Sequence, residues 1–163
     1  MVQKETGEGE DGVSLAKKDW FVNGVRMIPT EEEEQKTVIS WCRIQESRWP
    51  ELRWIHHIPN GGKRSKAEAA GFQAMGVLAG VPDLFLPVKR VWYHGLYVEM
   101  KALDGKVSKE QREFLTAAAE QGFCCCVCFG ADAAMAVIEN YLRGERFPAE
   151  LADGTRIEGV KVF

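Results

Sequence analysis

Two apolar runs separated by a short connection constrain this chain more than any other feature: Asp83-Leu84-Phe85-Leu86-Pro87-Val88 and Leu96-Tyr97-Val98-Glu99-Met100-Lys101. Each reads as a buried strand, the first broken near its end by Pro87. Glu99 and Lys101 lie at i and i+2, so an extended backbone points both to one face. If the two strands are neighbours, Asp83, Glu99 and Lys101 converge on one spot. Carboxylates are costly to bury unpaired, so such a cluster asks for a cation. Oxygen donors with no Cys or His in register suit a hard ion, Mg²⁺ or Mn²⁺. A lysine beside them suits negative charge developing on a phosphate. Taken singly, Asp83 is the polar end of a strand and Glu99 with Lys101 is a salt bridge; the combination is what points to chemistry.

At 163 residues and 45% hydrophobic, the chain suits one well-buried domain. No apolar run approaches the ~20 residues of a membrane helix, and the acidic start is unlike a secretory signal. The expectation is a chain with no membrane partner, in the cytoplasm of a bacterial or phage-infected cell. The net charge of −3 is unevenly distributed. Residues 1–34 carry four basic and nine acidic side chains, and the remainder carries 17 basic and 15 acidic ones. Arg48, Arg53, Lys63, Arg64 and Lys66 cluster around one expected loop, a modest phosphate-binding patch. An ordinary solvated surface explains the same charges equally well. Four of the five cysteines fall in Cys124-Cys125-Cys126-Val127-Cys128. Cys125 and Cys128 spell C-x-x-C, but on a strand they point to opposite faces, so buried free thiols are expected rather than a zinc site.

The pattern divides the chain into an acidic arm over 1–28, a domain over 29–143 and a tail over 144–163. The arm is expected to be partly disordered, with a short pairing segment around Trp20–Met27. Thr30 and Glu33 form a capping box that opens a helix running to about Arg48, its apolar stripe carried by Val38, Ile39 and Cys42. Pro50 stops it, Arg53–Ile58 reads as a strand, and Pro59-Asn60-Gly61-Gly62 as a turn. Ser65–Leu78 is a helix or compact loop. After the two motif strands, Ser108 and Gln111 form a second capping box, which by itself accounts for Gln111. That helix ends at Gly122, Phe123–Phe129 is a strand, and Asp132–Arg143 a last helix. The tail is too weakly patterned to place. Strands alternating with helices predict an α/β sandwich around a mixed sheet.

Glu31 is the next candidate. At 100° per residue it lies about 20° around the helix from Val38, and Gln35 about 60°, so both face the sheet, while Glu33 projects away. Glu34 is a weaker competitor on the same side. Asn60, Gly61 and Gly62 allow close backbone approach to a phosphate, although a plain turn would look the same. His56 and His57 point to opposite faces of their strand, so at least one is a packing or DNA-facing histidine rather than a metal ligand.

The ordered series Thr30-Glu31-x-x-x-Gln35, Pro59-Asn60-Gly61-Gly62, Gly80-Val81-Pro82-Asp83-Leu84, Glu99-Met100-Lys101, Ser108-x-x-Gln111 and Gly122 resembles a stand-alone virus-type replication-repair nuclease (VRR-NUC) domain of the PD-(D/E)xK superfamily. The match spans roughly residues 30–143. The resemblance implies a restriction-endonuclease-like sandwich and a catalytic set of Glu31, Asp83, Glu99 and Lys101, supported by Gln35 and Gln111. It also implies Mg²⁺ or Mn²⁺ held by Asp83, Glu99, Glu31 and the backbone carbonyl of Met100. Arg53, Asn60, Gly61, Lys63, Arg64, Lys66 and Gln111 would meet DNA. Branched DNA such as a Holliday junction, and a homodimer, are the implied substrate and assembly. The rival expectations are a catalytically silent junction-binding module on the same fold, and a nuclease acting on linear DNA ends or on RNA.

Overall fold

The computed structural model describes residues 21–59, 66–146 and 159–163. The expected disorder of residues 1–20, the Asn60-Gly61-Gly62 turn with Lys63 and Arg64, and a hairpin-like turn that the sequence suggests at Asp153-Gly154 lie outside them.

Strands β1 (Phe21–Val22) and β2 (Val25–Arg26) form a small antiparallel hairpin, the pairing segment expected before the domain. Helix α1 (Glu31–Gln45) follows, with Thr30 and Glu33 closing the capping box reciprocally. Val38 and Cys42, one turn apart, are wholly buried, which confirms the stripe. The segment after α1 departs from expectation. Pro50–Trp54 is a 3-10 helix, and of the expected strand only His56–His57 (β3) pairs in the sheet. Pro50 opens this turn rather than merely ending α1, because proline's fixed φ suits a first helical position. Leu52 and Ile55 then bury their side chains, which fixes the approach to β3.

Helix α2 (Lys66–Ala74) leads to β4 (Leu84–Leu86) and β5 (Leu96–Lys101). Next come α3 (Lys109–Glu120), β6 (Cys124–Phe129), α4 (Ala131–Leu142) and β7 (Val160–Val162). The central sheet has the order β3-β4-β5-β6-β7, parallel only between β5 and β6. The unplaced tail therefore supplies an edge strand, Val160-Lys161-Val162, three residues too short to show periodicity.

Alternation along β5 and β6 sends side chains into two cores. Leu96, Val98, Met100, Cys124, Cys126 and Cys128 pack with α1 and α4 on one face. Cys125 and Val127 pack with Leu115 of α3 on the other. Cys125 and Cys128 thus lie on opposite faces, and all five cysteines are free and buried. This is an α/β sandwich with helices on both faces of a mixed sheet. Among the described residues no helix is long and apolar enough to cross a membrane.

Candidate active site

Strands β4 and β5 pair antiparallel with Leu84 opposite Val98, so Asp83, one residue before β4, reaches the level of the last residues of β5. Its Oδ2 accepts the Met100 backbone N–H at 2.8 Å. The Asp83 backbone carbonyl accepts from Ile58 N–H at 2.8 Å and pairs with His57 Nδ1 at 2.9 Å. On β5, Lys101 Nζ lies 2.6 Å from Glu99 Oε1, with both side chains almost wholly buried, 6% and 2% exposed. The i, i+2 spacing therefore does what extended geometry demands.

Helix α3 closes this spot from a second side. Ser108 and Gln111 form the capping box, with Gln111 Oε1 accepting the Ser108 N–H at 2.8 Å. The same side chain donates through Nε2 to Glu99 Oε1. Capping alone does not account for Gln111; the structure puts it on the Glu99 carboxylate. The helix is held there by Gly80, whose φ is +84° and where a Cβ would come within 2.4 Å of the Glu110 backbone carbonyl. A side chain would have to displace backbone, so Gly80 is what lets the Val81–Asp83 approach lie against the first turn of α3.

Helix α1 closes the third side. Glu31 Oε1 stands 3.5 Å from Lys101 Nζ, although half its side chain is exposed. The stripe argument gave Glu31 the right direction but not the burial. The buried acid of this turn is Glu34, whose Oε2 accepts the Ala131 N–H at 2.7 Å. Glu34 thereby caps α4, whose own N-cap residue, Gly130, has no side chain to do so. The Gly130 N–H in turn donates to the Lys101 carbonyl. Glu34 anchors α1, and Glu31, on the same side one turn earlier, is carried to Lys101. Glu34 lies about 40° around the helix from Val38, a position on the buried stripe that could have singled it out.

Burial pushes Glu99 up from an ordinary 4.5 to about 7, and the Asp83 carboxylate adds to this against the pull of Lys101. Burial also raises Asp83, opposed by its bond from Met100 N–H and by Lys101. For Lys101 burial acts downward, but the bond to Glu99 and the charges of Glu99, Glu31 and Asp83 outweigh it and hold the ammonium firmly protonated. One lysine thus leaves the buried Glu99 and the half-buried Asp83 both raised, the condition that a second cation relieves.

A cleft of about 480 Å³ opens on the Asp83 and Glu31 side of this cluster, lined also by Gln35 and His57. Gln35 borders it from α1. His57, for which the sequence offered no role beyond packing or DNA, lines it from β3, while His56 packs edge-on against Phe85. Arg53 lies outside, exposed, its guanidinium 5.1 Å over the Trp54 ring. Asn60, Gly61, Lys63 and Arg64 fall outside the described residues. Lys66 opens α2.

The donor set fits a hard divalent ion in kind. Asp83 and Glu99 each commit one oxygen to protein donors, leaving Asp83 Oδ1 and Glu99 Oε2 without a hydrogen bond among the described residues. No three His, Cys, Asp or Glu side chains among those residues close into a metal cage. Mg²⁺ does not require one, since it keeps several waters and is bound by one or two carboxylates.

A mixed sheet flanked by helices, with two carboxylates and a lysine at adjoining strand ends, defines a restriction-endonuclease-like class of domain. The profile of the VRR-NUC domain matches residues 29–132. A solved structure described as a VRR_NUC domain protein is 34% identical, with a TM-score of 0.63 over 74% of this chain and 93% of that one. No curated protein matches the chain. The chain belongs to the VRR-NUC domain family, whose domains are generally nucleases.

Proposed function

We propose that this protein is a metal-dependent DNA endonuclease that hydrolyses phosphodiester bonds in branched DNA, working as a homodimer. The observation that carries the reading is the convergence of Asp83 with the buried pair Glu99 and Lys101 beside an open cleft. Hydrolysis adds water across a P–O bond to give a phosphomonoester and a hydroxyl. Asp83 and Glu99, with the Met100 carbonyl and with Glu31 at the border, would hold Mg²⁺ or Mn²⁺. Such an ion, when bound, supplies positive charge against the phosphate and lowers the pKa of coordinated water. Lys101, fixed by Glu99 and Glu31, presents a permanent positive charge toward a phosphate whose negative charge grows in the transition state. Gln111 holds the Glu99 carboxylate in one orientation, and Gln35 offers an amide to the cleft.

Arg53 with Lys63, Arg64 and Lys66 would meet the DNA backbone, giving affinity that falls with salt and varies little with sequence. The family resemblance supports branched DNA, Holliday junctions included, and pairing of two copies. A two-fold dimer presents two sites to the two equivalent strands of a symmetric junction. End-labelled linear, flapped and four-way DNA, incubated with Mg²⁺, Mn²⁺ or EDTA, is the test. Symmetric incision of four-way junctions in metal alone supports the whole reading. Equal cutting of linear ends removes the junction preference, and no metal-dependent cutting of any DNA removes the nuclease.

A further inference from the structure

The turn after β5 has not entered the chemistry so far, yet it lies against two of the residues that carry it. Ala102 to Gly105 is a tight turn, closed by Gly105 N–H donating to the Ala102 carbonyl at 2.8 Å. Gly105 does not have the positive φ that would demand a glycine. Its surroundings leave little room for a side chain instead. A Cβ there would lie 3.0 Å from Glu31 Oε1, 3.1 Å from Lys101 Cδ and 3.0 Å from the Ala102 carbonyl oxygen. These contacts join the α1 acid to the β5 lysine, the pair whose ion contact spans 3.5 Å.

We propose that Gly105 is a positioning residue of this centre: its bare α-carbon lets the turn close over the Glu31–Lys101 pair and set their separation. The proposal deepens the nuclease reading above and rests on it for its kinetic consequence. A methyl group at 105 cannot move the Ala102 carbonyl, which is backbone, and Lys101 is buried and tied to Glu99. The Glu31 carboxylate ends a flexible, half-exposed side chain, so it is the neighbour that yields. Gly105→Ala therefore presses the Glu31 carboxylate back by a few tenths of an ångström and lengthens its 3.5 Å approach to Lys101.

The test combines Gly105→Ala with Glu31→Asp, which withdraws the carboxylate by one methylene and makes room for the methyl. In full-length protein, Gly105→Ala should lower kcat about tenfold with KM for DNA unchanged, less than the ~100-fold of a 1 Å misplacement. In the Glu31→Asp background the same change should lower kcat less than about twofold, the non-additivity expected of residues in contact. A merely structural role would give equal losses in both backgrounds together with a lower Tm, and that result overturns the proposal. A crystal structure of Gly105→Ala gives a readout independent of activity. A Glu31–Lys101 separation longer than the present 3.5 Å supports the proposal, and an unchanged separation overturns it. If the wild-type chain cuts no DNA, the nuclease reading falls, while the crystallographic comparison still decides the role of Gly105.

Discussion

Gln111 holds Glu99 with one end of its side-chain amide and the backbone of Ser108 with the other. The first turn of α3 and the charged interior of β5 are therefore fastened by a single residue. Gln111→Glu separates its two duties. A glutamate keeps the capping box, so thermal melting should move by no more than the ~1 kcal/mol a cap contributes. It also sets a carboxylate against Glu99, where the amide donated. Cleavage at neutral pH should fall at least tenfold, by the like-charge penalty on an already strained pair. Unaltered cleavage by this variant would reduce Gln111 to a cap.

Asp83→Asn and Glu99→Gln should each abolish metal-dependent cleavage with the fold retained, because each removes ligand charge and leaves core packing unchanged. Lys101→Ala should abolish cleavage as well, but it removes the cation that, among the described residues, pairs with the buried Glu99. Its melting in EDTA should fall by about 3 kcal/mol, the usual result of leaving one partner of a buried pair uncompensated, and Mg²⁺ should restore part of the loss. Calorimetric melts with and without metal check this. A Lys101→Ala protein as stable as wild type in EDTA would contradict the strain assigned to the two carboxylates.

Three of the four acids in the first turn of α1 should behave differently. Glu31→Gln should slow cleavage strongly with little change in stability, since the side chain is half exposed and its ion contact with Lys101 spans 3.5 Å. Glu33→Gln should alter activity little and lower stability by no more than ~1 kcal/mol, the scale of its capping bond. Glu34→Ala should cost about 2–3 kcal/mol, because the Ala131 N–H would be left buried without a partner. Melting curves and initial rates on the three variants, measured side by side, decide the assignment. A Glu34 variant as stable as wild type would remove its role as an anchor.

Much of this site could be read from the chain because its parts are local. The i, i+2 pair Glu99 and Lys101 needs only an extended backbone, and both capping boxes need only three residues' separation. The alternating helix and strand pattern sufficed for the mixed sheet. What escaped depends on contacts distant in sequence. Glu34 reaches Ala131 across 97 residues, and no local pattern marks the N-terminus of α4 as uncapped until Gly130 is placed. Gln111 reads as a complete capping residue, so its second bond to Glu99 is invisible without the packing of α3 on β5. The stretch Arg53–Ile58 reads as a strand because it is a short run rich in Trp and Ile, bounded by Pro50 and the Pro59-Asn60-Gly61-Gly62 turn. Pro50 and the burial of Leu52 made most of the preceding segment a 3-10 turn instead. Strand β7 is defined by its pairing with β6, not by its own three residues.

The raised carboxylates fix how the protein should respond to pH. Glu99 titrates at about 7 in the fold against 4.5 ordinarily, through burial first and then its neighbour Asp83. A group whose folded pKa is raised binds its proton more tightly in the folded than in the unfolded chain. Its stabilising contribution is therefore full below about 4.5 and is lost as pH rises through about 7. Asp83 shifts in the same direction. In EDTA the protein should lose stability between pH 4.5 and 7 and change little just above. A divalent ion competes with these protons, so its binding should release them, and the Tm increase it produces should grow across the same window. Cleavage should climb with pH through about 7, because a protonated Glu99 carries no ligand charge. Melting in EDTA and in Mg²⁺ at half-unit steps from pH 5 to 8, beside initial rates, measures all three responses. A metal-induced Tm increase that is flat over that range would mean that Glu99 is already ionised in the metal-free fold.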